Sequence, residues 1–129
     1  MKIATWNVNS INARIDHLIS FIENNNLDII LLQELKCINE MFPYKQLEDI
    51  GYNCYVNGQK AWNGVAILSK KKLNIDNLKI PTFIDDQNSR YLETEININN
   101  IKKKLNLFVY ICQMEILLSL KNLITKLNG

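Results

Sequence analysis

Two polar side chains in the first third of the chain have the types and the sequence context that metal chemistry requires. Asn7 ends one strand-like stretch and Glu34 ends another. If the two strands are neighbours, an amide oxygen and a carboxylate meet at one edge of a sheet. Mg²⁺ prefers such oxygen ligands, and it usually keeps several waters and takes only one or two protein carboxylates beside a phosphate oxygen. The alternative is a turn asparagine and a solvated glutamate with no shared role.

Two cations, Lys36 and Arg14, lie near these positions in the sequence and can meet phosphate oxygens. His17 is the single histidine and falls inside a predicted helix, with no serine or cysteine in a nucleophile context to pair with it. We give His17 no catalytic role. The only support for a phosphate-binding role of Lys36 and Arg14 is their position near Asn7 and Glu34.

Four aromatic residues could stack on nucleobases, but most aromatic residues in strands pack in a core or against a neighbouring strand. We therefore favour packing for all four, which are Tyr52, Tyr55, Trp62 and Tyr91.

The stretch LDIILLQELK, from Leu27 to Lys36, should fix the position of Glu34. Its apolar residues from Ile29 to Leu32 run without alternation, which is typical of a strand buried on both faces. In α/β proteins, ligands bind at the carboxyl ends of such strands, because the strand holds the side chains while the next loop opens to solvent.

The chain opens with a predicted strand, helix and strand. Lys2 to Val8 reads as a strand, and Ile11 to Glu23 has apolar residues at spacings of three and four, which predicts an amphipathic helix ended by Asn24, Asn25 and Asn26. Such a unit normally makes a right-handed crossover between parallel strands.

The later sequence predicts a short helix from Pro43 to Ile50 and then a strand-rich region, more typical of an antiparallel or mixed sheet. Lys70 to Ser89 reads as a polar loop, and Met114 to Leu127 has apolar residues at helical spacing. We expect a single α/β domain. The predicted strands are Tyr52 to Val56, Asn63 to Ser69, Arg90 to Ile98 and Lys104 to Tyr110.

Composition and charge restrict the class of protein but not its function. The 129 residues are 47% hydrophobic and 22% charged with a net charge of +2, which suits a soluble domain and permits a polyanionic partner without indicating one. Cys37, Cys54 and Cys112 are odd in number and form no CxxC pair, so neither a disulfide framework nor a zinc site is indicated. Met1 leads straight into a strand, and no apolar run is long enough for a membrane span, so we expect a cytoplasmic protein.

Four segments together resemble the first half of the exodeoxyribonuclease III family, the bacterial apurinic/apyrimidinic (AP) endonucleases of the endonuclease/exonuclease/phosphatase superfamily. They are MKIATWNVNSINARI, DIILLQELK, FPYKQLEDIGYN and GQKAWNGVAILSK, in the family's order and spacing. The resemblance runs from Met1 to about Val109. It implies the amino-terminal half of a layered α/β sandwich, in which two mixed sheets pack face to face with helices outside.

The resemblance also implies a function. The family cleaves DNA backbones 5′ to abasic sites and degrades duplex DNA from 3′ ends, using Mg²⁺ or Mn²⁺ and an activated water, and its full-length members act as monomers. By position, Asn7 resembles the family's asparagine that supports the metal and Glu34 its metal-binding carboxylate. Lys36 and Arg14 match basic positions near the DNA backbone. Asn12 stands where relatives commonly carry arginine, and Leu35 replaces a frequent threonine.

The carboxyl-terminal part departs from the family pattern. Longer family members carry, in their second half, an Asp-x-Asn motif and a final Asp-His pair. Neither follows Val109 in this chain, so we expect a truncated chain that is inactive on its own. One alternative is a non-catalytic DNA-binding module. Another is a different phosphoesterase of the superfamily, acting on inositol phosphates or lipids, although the QELK and NGVAILS segments favour the nucleases.

The last residues suggest a reason for the departure. After LNLFV the family has a strand ending in Tyr-x-Pro-Asn-Gly, whereas this chain reads YICQMEILL. Permitted codons for Tyr110 to Leu117, read from the third base, give Tyr-Met-Pro-Asn-Gly-Asn-Pro. We therefore expect residues 1–109 to form the family's domain and 110–129 to be an out-of-frame tail, in which Tyr110 only approximates the family's catalytic tyrosine.

Overall fold

The computed structural model describes residues 1–74, 88–97 and 104–110. The predicted opening of strand, helix and strand is confirmed, as are the short second helix and the four later strands, with end points that shift by one or two residues. A turn of 3₁₀ helix, Asn39–Met41, was not predicted. The elements are β1 (Ile3–Asn7), α1 (Ile11–Asn25), β2 (Ile29–Gln33), α2 (Tyr44–Asp49), β3 (Asn53–Asn57), β4 (Val65–Ser69), β5 (Tyr91–Asn97) and β6 (Lys104–Tyr110).

The first sheet has the strand order β1-β2-β4-β3. Strands β1 and β2 are parallel and joined by α1, with Ile3 opposite Ile29 and Asn7 opposite Gln33, whereas β4 runs antiparallel to both of its neighbours. The predicted asparagine stop of α1 is confirmed, because Asn26 adopts a left-handed conformation and its N–H donates to the Ile22 carbonyl at 3.1 Å.

Strand β2 is buried on both faces, as its unbroken apolar run predicts. On one face, Ile30 and Leu32 belong to a core cluster with the buried stripe of α1. On the other, Ile29 belongs to a second cluster with Ile67 of β4 and Leu92 of β5. The described chain is therefore layered as helices, first sheet and second sheet. This mixed-sheet α/β architecture is the predicted fold class.

The second sheet consists, in the described part of the chain, of β5 and β6. They pair antiparallel, with Leu92 opposite Val109 and Tyr91 opposite Tyr110. Leu92 and Val109 are buried and point into the cluster between the sheets. Burial alternates along β5: Leu92, Thr94 and Ile96 are buried and their neighbours are not. The alternation arises because β5 packs only one of its faces against the first sheet.

Several sequence predictions fall outside the described residues. These are most of the loop from Lys70 to Ser89, the helical spacing from Met114 to Leu127, and the tail beyond Tyr110. Within the described ranges, no helix has the length and apolar character needed to cross a membrane.

We predict that Gly64 is required where β4 begins. Its φ is +85°, and an added Cβ would stand 3.0 Å from the Leu35 Cβ. Gly51 has a similar φ of +93° with nothing within 4 Å of such a Cβ, so it provides the matched control. Gly51→Ala should cost about 1–2 kcal/mol for the left-handed backbone. Gly64→Ala should cost at least about 1 kcal/mol more because of the contact with Leu35.

The two free energies of unfolding can be measured by urea denaturation followed by circular dichroism. Equal losses in the two variants would show that Leu35 accommodates the added methyl group.

Candidate active site

The carboxyl ends of β1 and β2 meet at one edge of the first sheet. Asn7, the last residue of β1, pairs with Gln33, the last residue of β2, so Glu34 begins the adjoining loop. We call this edge, with Asn7, Asn9, Glu34 and Lys36, the rim. The predicted convergence of Asn7 and Glu34 at one edge is therefore present in the structure.

The backbone around Glu34 is held from one side by the turn that leads into α1. The Ser10 N–H donates to the Glu34 carbonyl at 2.9 Å, and the Ile11 N–H donates to the Leu35 carbonyl at 3.0 Å. Leu35 is completely buried between the two rim residues Glu34 and Lys36. The segment therefore cannot move without breaking the start of α1.

The other side of the same segment is held by the loop between β3 and β4. The Leu35 N–H donates to the Gly64 carbonyl at 3.1 Å, and the Lys36 N–H donates to the Asn63 carbonyl at 3.0 Å. Asn63 and Gly64 both have positive φ, of 51° and 85°, which asparagine and glycine adopt most readily. The Asn-Gly pair thus presents two successive carbonyls to the rim segment.

Glu34 has an unusual backbone and a free carboxylate. Its φ is +55°, a left-handed conformation that a glutamate rarely adopts. Its side chain is half-buried and makes no hydrogen bond or ion pair with the residues that the structure describes. An unpaired, half-buried carboxylate at a fixed position is available to a cation.

Asn7 supplies an amide oxygen at the same edge of the sheet as Glu34. Its Oδ1 accepts a hydrogen bond from the Asn9 N–H at 3.1 Å, which shapes the turn into α1. An amide oxygen has two lone pairs, so this bond leaves one free. Asn7 is exposed, so that remaining lone pair is open to solvent or to a ligand.

The two predicted cations differ in their placement. Lys36 lies on the rim, where its Nζ donates to the Asn9 Oδ1 at 2.5 Å. Arg14 is exposed in the first turn of α1 and makes no hydrogen bond or ion pair with the rim among the described residues. Lys36 is therefore tied to the rim by a side-chain bond, and Arg14 is not.

Asn12, which stands where relatives commonly carry arginine, has a structural contact here. Its Nδ2 donates to the Met41 carbonyl at 3.2 Å and so ties the start of α1 to the 3₁₀ turn.

The backbone of Tyr110, the last residue of β6, lies opposite Tyr91. The Tyr91 carbonyl accepts a hydrogen bond from Asn57 Nδ2 at the end of β3. Asn57 is opposite Val65, the first residue of β4, and Val65 is also opposite Gln33 at the end of β2. The Tyr110 backbone therefore lies at the same end of the sheets as the rim.

A set of polar residues behind the Asn-Gly pair was missed by sequence reasoning. Arg90 is buried and its Nε donates to the Asn63 Oδ1 at 3.4 Å, while the Gln59 Oε1 accepts from Asn63 Nδ2 and from the Ser89 N–H. The Gly64 N–H donates to the Ser89 carbonyl at 2.9 Å. Except for the bond between Asn63 and Gln59, these bonds join residues far apart in sequence, so the Asn-Gly dipeptide was the only local sign of this set.

The two cysteines that the structure describes, Cys37 and Cys54, do not add to this chemistry. Burial raises the pKa of the Cys54 thiol to about 12, with a smaller contribution from Glu48, and burial also raises the pKa of Cys37. Both thiols are therefore protonated at neutral pH and unsuited to metal binding or nucleophilic attack. Within residues 1–74, 88–97 and 104–110, no three histidine, cysteine, aspartate or glutamate side chains are grouped as a metal site.

Comparison with known proteins gives independent evidence on the family and the fold. The sequence model of the Endonuclease/Exonuclease/phosphatase family matches residues 4–111. Exodeoxyribonuclease III of Haemophilus influenzae is 37% identical over 102 residues, which is 76% of this chain. The match covers 38% of that relative, so the chain spans well under half of its length.

Solved structures give the same result. The 3′ phosphatase NExo from Neisseria, bound to a product DNA hairpin, is 39% identical with a TM-score of 0.68, over 74% of this chain and 37% of NExo. An AP endonuclease from Archaeoglobus fulgidus is 34% identical with the same TM-score and the same two coverages. The family match over most of the chain, together with the shared fold, establishes that this chain belongs to the endonuclease/exonuclease/phosphatase family and is similar to its exodeoxyribonuclease III-like AP endonucleases and exonucleases.

Proposed function

We propose that the chain supplies the metal-binding and part of the DNA-binding surface of a Mg²⁺-dependent nuclease similar to exodeoxyribonuclease III, which hydrolyses phosphodiesters in double-stranded DNA at abasic sites or 3′ ends. The observation that carries this proposal is the Glu34 carboxylate, unpaired among the described residues, at the same sheet edge as Asn7 and the Lys36 ammonium. A carboxylate, an amide oxygen and a cation at one edge suit a metal-bound phosphate.

Asn7 and Glu34 would hold the metal, Mg²⁺ or Mn²⁺. A single carboxylate fits Mg²⁺ because this ion keeps several waters and shares its remaining positions with substrate phosphate oxygens. When bound, the ion would neutralise charge that develops on the phosphate. Lys36 would bind a neighbouring phosphate, while Arg14, one turn along α1, would meet the DNA backbone farther from the reacting group.

DNA is the proposed partner because NExo, a relative with 39% identity, is described in complex with a product DNA hairpin. A cytoplasmic location and a monomeric full-length protein belong to the same proposal. The rim has one carboxylate and no histidine, so it lacks a group to activate water. The 129-residue chain alone should therefore bind DNA and not cleave it.

The proposed activity can be tested with a chimera. Residues 1–109 fused to the carboxyl-terminal part of Haemophilus exodeoxyribonuclease III should nick a duplex with one abasic site in the presence of Mg²⁺. The 129-residue chain should shift the same duplex in a gel without nicking it. A chimera that is folded by circular dichroism and still binds but does not nick would favour the non-catalytic DNA-binding module instead.

Glu34→Gln should remove most of the metal affinity, because the amide keeps the shape of the side chain and loses its charge. We expect Mn²⁺ binding to the 129-residue chain, measured from the loss of free Mn²⁺ signal by electron paramagnetic resonance, to weaken by about 10–100-fold. Glu40→Gln is the matched control, since Glu40 is exposed on the 3₁₀ turn outside the rim. Equal Mn²⁺ binding by the Glu34→Gln chain and the unsubstituted chain would remove Glu34 from the site.

The out-of-frame origin of residues 110–129 is a separate part of the proposal. The family match stops at residue 111, within two residues of the expected shift, which supports it. The gene should contain, in the shifted frame beyond codon 109, an open reading frame that encodes Asp-x-Asn and a terminal Asp-His pair. Sequencing the gene and its downstream bases checks this, and a stop codon soon after the shift in that frame would contradict it.

A further inference from the structure

Trp62 differs from the other aromatic residues considered for base stacking. It is 71% exposed, in the loop between β3 and β4. Tyr52 is buried and its hydroxyl donates to the Leu27 carbonyl, the Tyr55 hydroxyl donates to the Leu73 carbonyl, and the Tyr91 hydroxyl donates to Glu93. Packing, which the sequence favoured for all four, is therefore wrong for Trp62.

The exposure of Trp62 is built into the loop. The Trp62 N–H donates to the Lys60 carbonyl at 2.8 Å across a tight turn centred on Ala61, whose φ is +65°. At one end of the loop the Gly58 N–H donates to the Asn39 Oδ1 at 2.6 Å. At the other end Asn63 holds Lys36, so the loop is ordered while its largest apolar side chain faces water.

The position of Trp62 relates it to the rim. The carbonyl of its neighbour Asn63 accepts a hydrogen bond from the Lys36 N–H at 3.0 Å. Lys36 is two residues from Glu34. Lys60 is exposed on the same loop. An exposed apolar ring, on a loop that also carries Lys60 and that is bonded to the rim segment, is complementary to a nucleic acid. A nucleic acid offers base faces and phosphates together, unlike a protein surface of mixed charge.

We infer that Trp62 stacks on a nucleobase that has lost its stacking partner beside the phosphate bound at the rim. The inference rests on DNA being the partner, as proposed above. In intact duplex both faces of each internal base are covered, whereas a missing base or a strand end leaves one face open. Trp62 therefore favours damaged or ended DNA over continuous duplex, while Lys36 binds either through phosphate charge.

The first test is fluorescence of the 129-residue chain carrying Trp6→Phe, which leaves Trp62 as the single tryptophan. Trp6 packs edge-to-face on Phe21 at 5.3 Å, and phenylalanine preserves an aromatic ring there. A duplex with one tetrahydrofuran abasic site should quench Trp62 emission and reduce its quenching by acrylamide. The chain with Trp62→Phe retains only Trp6 and should show neither change.

The second test measures affinity for the abasic duplex and for the same duplex with the base present. Trp62→Ala should weaken binding to the abasic duplex by about tenfold or more and erase the preference, with an unchanged salt slope, whereas Trp62→Phe should retain most of the preference. Lys36→Ala should weaken binding to both duplexes and lower the salt slope by about 1. Met41→Ala, at a side chain 63% exposed, is the control for lost apolar surface and should change nothing.

The outcomes separate the inference from the proposed function. If the unsubstituted chain binds both duplexes and Trp62→Ala binds them equally well, the stacking role is wrong and DNA binding stands. If the unsubstituted chain binds neither duplex, both are wrong.

Discussion

The position of the rim depends on the four backbone hydrogen bonds that hold residues 34–36. Two come from the turn before α1, to the carbonyls of Glu34 and Leu35, and two go to the carbonyls of Asn63 and Gly64. Each is an ordinary bond, worth about 0.5–1.5 kcal/mol net. Together they hold Glu34 and Lys36 at positive φ, at an individual cost of about 1–2 kcal/mol for such residues. The strain persists because the segment is held from both sides.

This arrangement explains why the layers are needed. The turn before α1 reaches Glu34 only because β1 and β2 are parallel and adjacent, and the Asn-Gly pair reaches Leu35 only because β4 lies on the other side of β2. Burial on both faces of β2, against α1 and against β5, fixes the strand that carries the segment. Because a close-packed core leaves little room for β2 to shift, it also fixes the position of the rim.

The sequence was most informative where one periodicity dominated. The unbroken run at β2 and the three- and four-residue spacing in α1 predicted both elements, and their order predicted the meeting of Asn7 and Glu34. The sequence was least informative about contacts between distant segments. The bond from Lys36 to Asn9, the role of Arg90 behind Asn63, and the exposure of Trp62 depend on which loops lie side by side. A positive φ at Glu34 could not be predicted either, because a glutamate gives no local sign of it.

The rim also limits the part that its residues could take in the proposed hydrolysis. Binding and orientation need fixed positions, and Glu34, Asn7 and Lys36 have them through backbone bonds that do not involve the reacting groups. Proton transfer needs a group with a suitable pKa within reach of a water. The rim has no histidine, and the nearest cysteine in sequence, Cys37, is buried with a raised pKa. Under the proposed function, the rim would hold a phosphate, and a group outside the rim would activate the water.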